Sequence, residues 1–294
     1  MKLLRAATLV VPDPEATAAR YAQWFDYRVV ERGRVPVQLA AAWGAPGSAG
    51  KNYLVLAPAS GAEIYLRFVA GDTPPDYRPL RSYGWAAIEI CVSDVLAVND
   101  RMLRSPFTII GPPRELDGLP AIFPMQVRGP DQEIVFLTQI RGDLPDHDLA
   151  RAESLIDKLF ILVLACSDLP TSLAWFERKF GLRSGGEMEI TYSVLSDAFG
   201  LPPDHKHRLA TLIHGRDLFL ELDQYPAQSV ARPRLPGLLP PGIAIATLQH
   251  PDIASIGGPW LAPPGVRNGV IYGGRASGVL SAPDGALVEI VATA

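Results

Sequence analysis

Histidine is scarce in this chain, and cysteine more so: five His and two Cys in 294 residues. So few imidazoles limit any metal site built on histidine. Cys91 and Cys166 each stand alone in an apolar, strand-like stretch. That excludes a disulfide framework and leads us to expect a reducing, cytoplasmic setting. An excess of either charge is also missing. Lys plus Arg number 27 against 31 Asp plus Glu, a net charge of −4, which is no footprint for nucleic acid. No apolar run reaches the roughly 18 residues of a membrane-spanning helix, so no membrane partner is expected. The opening MKLLRAATLVVPDPEA mimics a short export signal. Its apolar part stops at Pro12 without an A-x-A site, so it is read as a strand.

What is present is a globular composition, 48% apolar and 20% charged, enough for a full core. One stretch stands out, residues 282–290. Pro283-Asp284-Gly285 supplies turn chemistry, and Leu287, Val288, Ile290 and Val291 are strand formers. Side chains alternate along a strand, so Val288 and Ile290 face one way and Leu287, Glu289 and Val291 the other. Glu289 is thus a carboxylate in an apolar strand, in need of water, a cation or a hydrogen-bond donor.

The chain repeats itself. Residues 3–11 read as a strand, Asp13-Pro14 as the start of a helix ending near Phe25, and three further strands follow, broken by a short helix over 37–43. Asp168 and Phe180 bound a second such helix, each 155 residues beyond Asp13 and Phe25. The short helix recurs too: residues 39–46, LAAAWGAP, align with 195–202, LSDAFGLP, with Trp43 opposite Phe199. Residues 84–94 parallel 242–252, and 129–137 parallel 282–290. The unit is β-α-β-β-β, used four times, with little helix left in the last copy. Residues 141–158 read as a linker, and the proline-rich stretch 226–241 as a stiff connector.

This pattern resembles the βαβββ modules of the vicinal oxygen chelate superfamily, which includes glyoxalase I, extradiol dioxygenases and bleomycin-resistance proteins. The turn followed four residues after Gly285 by Glu289 matches the place where that family carries a metal-binding Glu. The resemblance implies an α+β fold of four modules in two tandem pairs. Each pair would form a curved mixed sheet around a concave cavity, with helices outside. The domains would be 1–140 and 159–294, joined by the linker 141–158. It further implies a small-molecule ligand, a divalent metal (Mn, Mg, Zn or Fe) and a monomer or homodimer.

Carried over residue by residue, the family's first-strand ligand positions become Ala6, Ala87, Ile161 and Ile245, none of which can bind a metal. Its last-strand positions become Tyr65, Phe136, Glu221 (or Phe219) and Glu289. Glu221 and Glu289 are therefore expected on one concave face, as metal ligands or as an acid/base pair. His207, with His205 two residues before it, is a candidate third ligand; the bland alternative is an exposed polar loop. Without the two-His, one-carboxylate set, extradiol ring cleavage is not expected. Trp43 and Phe199 are expected to cap the concave faces, and Tyr65, Arg67, Tyr272 and Arg275 to contact ligand. Arg67 is a candidate partner for Glu89, and Arg275 for Glu289. Two functions fit this set. One is a glyoxalase-type lyase or isomerase moving a proton on a small apolar carbonyl or phenolic compound. The other is a binding protein, of the bleomycin-resistance kind, that sequesters an aromatic ligand.

Overall fold

The computed structural model describes residues 2–116 and 118–293. The first module comprises β1 (Leu4–Val11), α1 (Pro14–Phe25), β2 (Arg28–Arg34), α2 (Val37–Ala42), β3 (Asn52–Ala57) and β4 (Tyr65–Ala70). The second has β5 (Gly84–Val92), α3 (Val95–Met102), β6 (Thr108–Gly111), β7 (Ile122–Arg128) and β8 (Ile134–Ile140). The third has β9 (Ile156–Cys166), α4 (Leu169–Phe180), β10 (Arg183–Thr191), α5 (Ser193–Phe199), β11 (Lys206–His214) and β12 (Asp217–Gln224). The fourth has β13 (Gly242–His250), α6 (Ile253–Ile256), β14 (Gly265–Arg267), β15 (Arg275–Ser281) and β16 (Leu287–Ala292). No described helix is long and apolar enough to cross a membrane.

The repeated aspartate has a local cause. Asp13, Asp94, Asp168 and Asp252 each cap the helix that follows. Their side chains accept from Glu15 and Ala16, from Leu96 and Ala97, from Thr171, and from Ala254 and Ser255 backbone N–H groups. Those donors have no partner inside the helix, so one capping side chain fixes where each helix starts.

Two eight-stranded sheets result, ordered β14-β15-β16-β13-β1-β4-β3-β2 and β10-β11-β12-β9-β5-β8-β7-β6. The α+β architecture of four modules and two curved sheets is as expected, but the partners are not neighbours in sequence. The first sheet joins modules one and four through antiparallel β1 and β13; the second joins modules two and three through β5 and β9. Each sheet therefore takes strands from both sides of residues 141–158, and Ile156–Lys158 already belong to β9. The cause is the similarity of the central strands. β1, β5 and β9 are buried along their whole length and β13 along most of it, so any first strand offers another the same apolar edge. The connections then decide which pair forms.

The sheets stand back to back. Their convex faces and helices α1, α3 and α4 share one core that includes Leu9, Ile88, Leu162 and Ile290. Trp85 of β5 crosses it to donate its indole N–H to the Leu287 carbonyl at 2.8 Å. The concave faces point outward, each with its own smaller apolar cluster.

Candidate functional site

Strand register sets out equivalent positions on the two concave faces. In the first sheet Thr8 lies beside Arg67, and Thr247 beside Glu289. In the second, Glu89 lies beside Phe136, and Val163 beside Glu221. The last-strand position of module one is thus Arg67, two residues beyond the expected Tyr65. Arg67, Phe136, Glu221 and Glu289 occupy corresponding places.

On the first sheet these places neutralise each other. Glu289 is fully buried, and both of its oxygens are saturated. Oε1 accepts from Trp43 Nε1 at 3.0 Å and the Tyr272 hydroxyl at 2.9 Å. Oε2 accepts from an Arg67 guanidinium nitrogen at 3.0 Å and Thr247 Oγ1 at 2.9 Å. Arg67 also donates to Thr8 Oγ1 at 2.9 Å and the Tyr272 hydroxyl at 2.6 Å, and its guanidinium lies 4.6 Å from the Trp43 ring centroid. Burial opposes the arginine's charge, but Tyr272 and Glu289 outweigh it and hold its pKa above the ordinary value. This donor set does not fit a metal. The carboxylate's lone pairs are taken by four donors, and a guanidinium supplies the positive charge.

Several expectations change accordingly. Glu221 and Glu289 lie in separate sheets, which ends the shared two-carboxylate site. Arg67 pairs with Glu289 rather than Glu89. Arg275 donates to the Tyr272 carbonyl at 2.8 Å and does not reach Glu289. Trp43 and Tyr272 are brought to the site, as donors to Glu289. Tyr65 lies under the Arg5 guanidinium at 4.9 Å, and Phe199 packs on Tyr225 with Arg81 over its ring at 4.5 Å. His207 is buried, its Nε2 2.9 Å from Ser196 Oγ. Burial pushes it down to about 4, helped by His205. No carboxylate joins it. Among the described residues, no group of three or more His, Cys, Asp or Glu is placed to hold a metal ion.

The first sheet keeps a cavity of about 370 Å³ beside Arg67, Tyr53 and Tyr272, and the second sheet has the larger one. Its concave face encloses a cavity of about 440 Å³ with walls that include Phe136, Phe160, Leu209, Met188 and Tyr192. Leu144, His147 and Leu149, from the expected linker, roof it. The roof is tied down where His147 Nε2 meets the Gly185 carbonyl at 2.9 Å. Gly185 must lack a side chain, since a Cβ there would stand 2.5 Å from Thr211 Oγ1 and 2.6 Å from His147 Nε2. Glu89 and Glu221 line the floor.

Among the described residues, these acids have no counter-ion. Glu89 accepts from Thr138 Oγ1 at 2.5 Å. Burial, then the nearby Glu221, pushes it up to about 8. Asp223, two residues along β12 from Glu221, is 1% exposed, and neither of its oxygens meets a donor among neutral or cationic groups. Its one available donor is a protonated Glu221. Burial, then the neighbouring Asp223, raises Glu221 well above its ordinary value, and burial raises Asp223 to about 7. Asp223 was missed in the sequence, and Glu89 was singled out only as a partner for Arg67. Glu89 carries the same signal as Glu289, a lone acid in an apolar strand. Asp223 could have been found from its i, i+2 spacing to Glu221.

No protein-family model matches the sequence, and no curated protein sequence matches it. Solved structures do match. Glyoxalase I from Zea mays aligns over 99% of this chain and 92% of its own, at TM-score 0.66 and 18% identity. A Bacillus subtilis protein provisionally assigned as a dioxygenase aligns over 98% of this chain and 84% of its own, at TM-score 0.62 and 15% identity. Likeness at this level speaks for the fold: the chain has the vicinal oxygen chelate fold.

Proposed function

We propose that this protein is a small-molecule binding protein, and that the cavity of the second sheet holds an apolar, aromatic-compatible ligand. One observation carries this reading: a largely apolar cavity of about 440 Å³ bordered by two carboxyls, Glu89 and Glu221, with which no cation pairs among the described residues. Cavities of this size and lining suit small organic ligands. Glyoxalase-type proton transfer builds negative charge on a substrate oxygen, which a positive group must steady. Arg114 and His147 also line the cavity, yet neither pairs with Glu89 or Glu221. The divalent metal implied by resemblance therefore has no role in this reading.

A second reading, acid/base catalysis without metal, draws on one fact. Glu89, pushed up to about 8, can hold or release a proton near neutral pH. Binding of a naphthalene-type fluorescent dye tests the main reading. The wild type should bind one equivalent saturably, and Met188→Trp, which fills the cavity, should weaken binding at least tenfold. Unchanged binding in a folded Met188→Trp protein would remove the cavity as the site. Deuterium exchange into aryl α-hydroxyketones in heavy water with EDTA, lost in Glu89→Gln, would instead establish catalysis.

A further inference from the structure

We infer that the ligand of the second-sheet cavity is an apolar amine, and that Glu89 and Glu221 recognise its cationic head. The inference rests on the binding reading above and adds the chemical class of the guest. Its first support is internal. The two concave faces are built alike, and each places an acid at the last-strand position, Glu289 in one and Glu221 in the other. The first sheet supplies its own cation, Arg67, at the place where the second sheet has Phe136. Where Arg67 is present, the acid is taken up in an ion pair, and the cavity of about 370 Å³ on that face borders the arginine instead. Where Phe136 replaces it, the acids themselves border the cavity and no such pair forms.

The second support is the unmet hydrogen-bonding capacity. Glu89 is 6% exposed, and Thr138 satisfies only its Oε1, so Oε2 is left without a partner on the cavity floor. Behind Glu221, both Asp223 oxygens are buried without a donor other than Glu221's own proton. Buried carboxyls without cations keep their protons because nothing else compensates the charge. An ammonium group brings the compensation and three N–H donors. The aromatic walls favour it further: the Phe136 and Tyr192 rings stand edge to face at 6.0 Å, and a ring face attracts a cation. Apolar side walls then take the hydrocarbon body. Binding expels a proton from the Glu89, Glu221 and Asp223 set, because the incoming charge lowers their proton affinity.

The test compares phenylbutylamine with phenylbutanol, which matches it in shape and lacks the charge, by titration calorimetry near neutral pH. The amine should bind at least tenfold more tightly, with a heat that depends on buffer ionisation because protons are released. In Glu89→Gln/Glu221→Gln the amine should fall to the affinity of the alcohol, while retained alcohol binding shows that the variant is folded. Equal binding of amine and alcohol by the wild type would overturn the amine inference and leave the cavity reading intact. A preference for amine that survives in the double variant would overturn it as well. Failure of both probes to bind would remove the cavity reading and this inference together.

Discussion

Glu289→Gln is the sharpest test of how the first sheet is built. The change keeps size and removes charge. The carboxylate now accepts from four donors, two at each oxygen. Glutamine has a carbonyl at one end and an NH2 at the other. If the carbonyl stays with Arg67 and Thr247, the NH2 points at the Trp43 N–H, which cannot accept. The reverse orientation sets the NH2 against the Arg67 guanidinium. Either way a buried donor is orphaned, and Arg67 loses the charge that balances it. Breaking a buried ion pair from one side costs roughly 3–5 kcal/mol. For a chain of 294 residues that lowers the melting temperature by roughly 5–10 °C. Scanning calorimetry at neutral pH reads it directly. Arg67→Met added to Glu289→Gln should restore much of the loss, because no unmatched charge remains. Ligand binding on the second sheet should be untouched in both variants. An unchanged melting temperature for Glu289→Gln, or loss of ligand binding without loss of stability, would refute this account.

Two other outcomes follow from the second sheet. Glu89 and Glu133 are pushed up by burial to about 8, and Asp223 to about 7. Each folded carboxyl thus keeps its proton at pH values where the unfolded chain has released it, so stability falls as pH rises towards about 8. His207, pushed down to about 4, acts oppositely, and only below its ordinary value of 6.5. The urea midpoint should therefore drop between about pH 6.5 and pH 8, and a flat or rising midpoint there would contradict the burial of these acids. Gly185→Val should push His147 off the β10 backbone and loosen the roof. Ligand dissociation, followed by stopped flow, should quicken at least tenfold, and an unchanged rate would show that the roof does not retain the ligand.

The modules were legible in the sequence because each carries local chemistry of its own: an aspartate cap, an apolar strand before it and a turn before the last strand. The pairing of modules was not. β1, β5, β9 and β13 offer similar edges, and a local pattern cannot say which edge meets which. The same limit applies at the site. Glu289 was recognisable as an acid in need of a partner, but its partner sits 222 positions away on a different module. Arg275, near in sequence, was the natural candidate and is turned to a carbonyl. Counting to Tyr65 rather than Arg67 hid the match, because the Ser60-Gly61 turn of module one differs from Pro283-Asp284-Gly285. Side-chain alternation could still have grouped Glu221 with Asp223. Placing Glu89 with them required the β5–β9 register.

The pairing of the first module with the fourth, and of the second with the third, nests one sheet inside the other along the chain, like brackets. The inner sheet has all its strands once Gln224 has been made. The outer sheet is then half complete, and β1 presents an open edge until β13 pairs with it. Such an edge is a template for any strand that comes near, and the wait spans more than 170 residues of synthesis between β4 and β13. In the folded chain the proline-rich segment before β13 joins Val230 to Ser82 and Gly237 to Gly47 on its way back to that edge. That segment is in effect a guide rail: it anchors on the inner half, touches the outer half and delivers the closing strand to the edge that would otherwise find another partner.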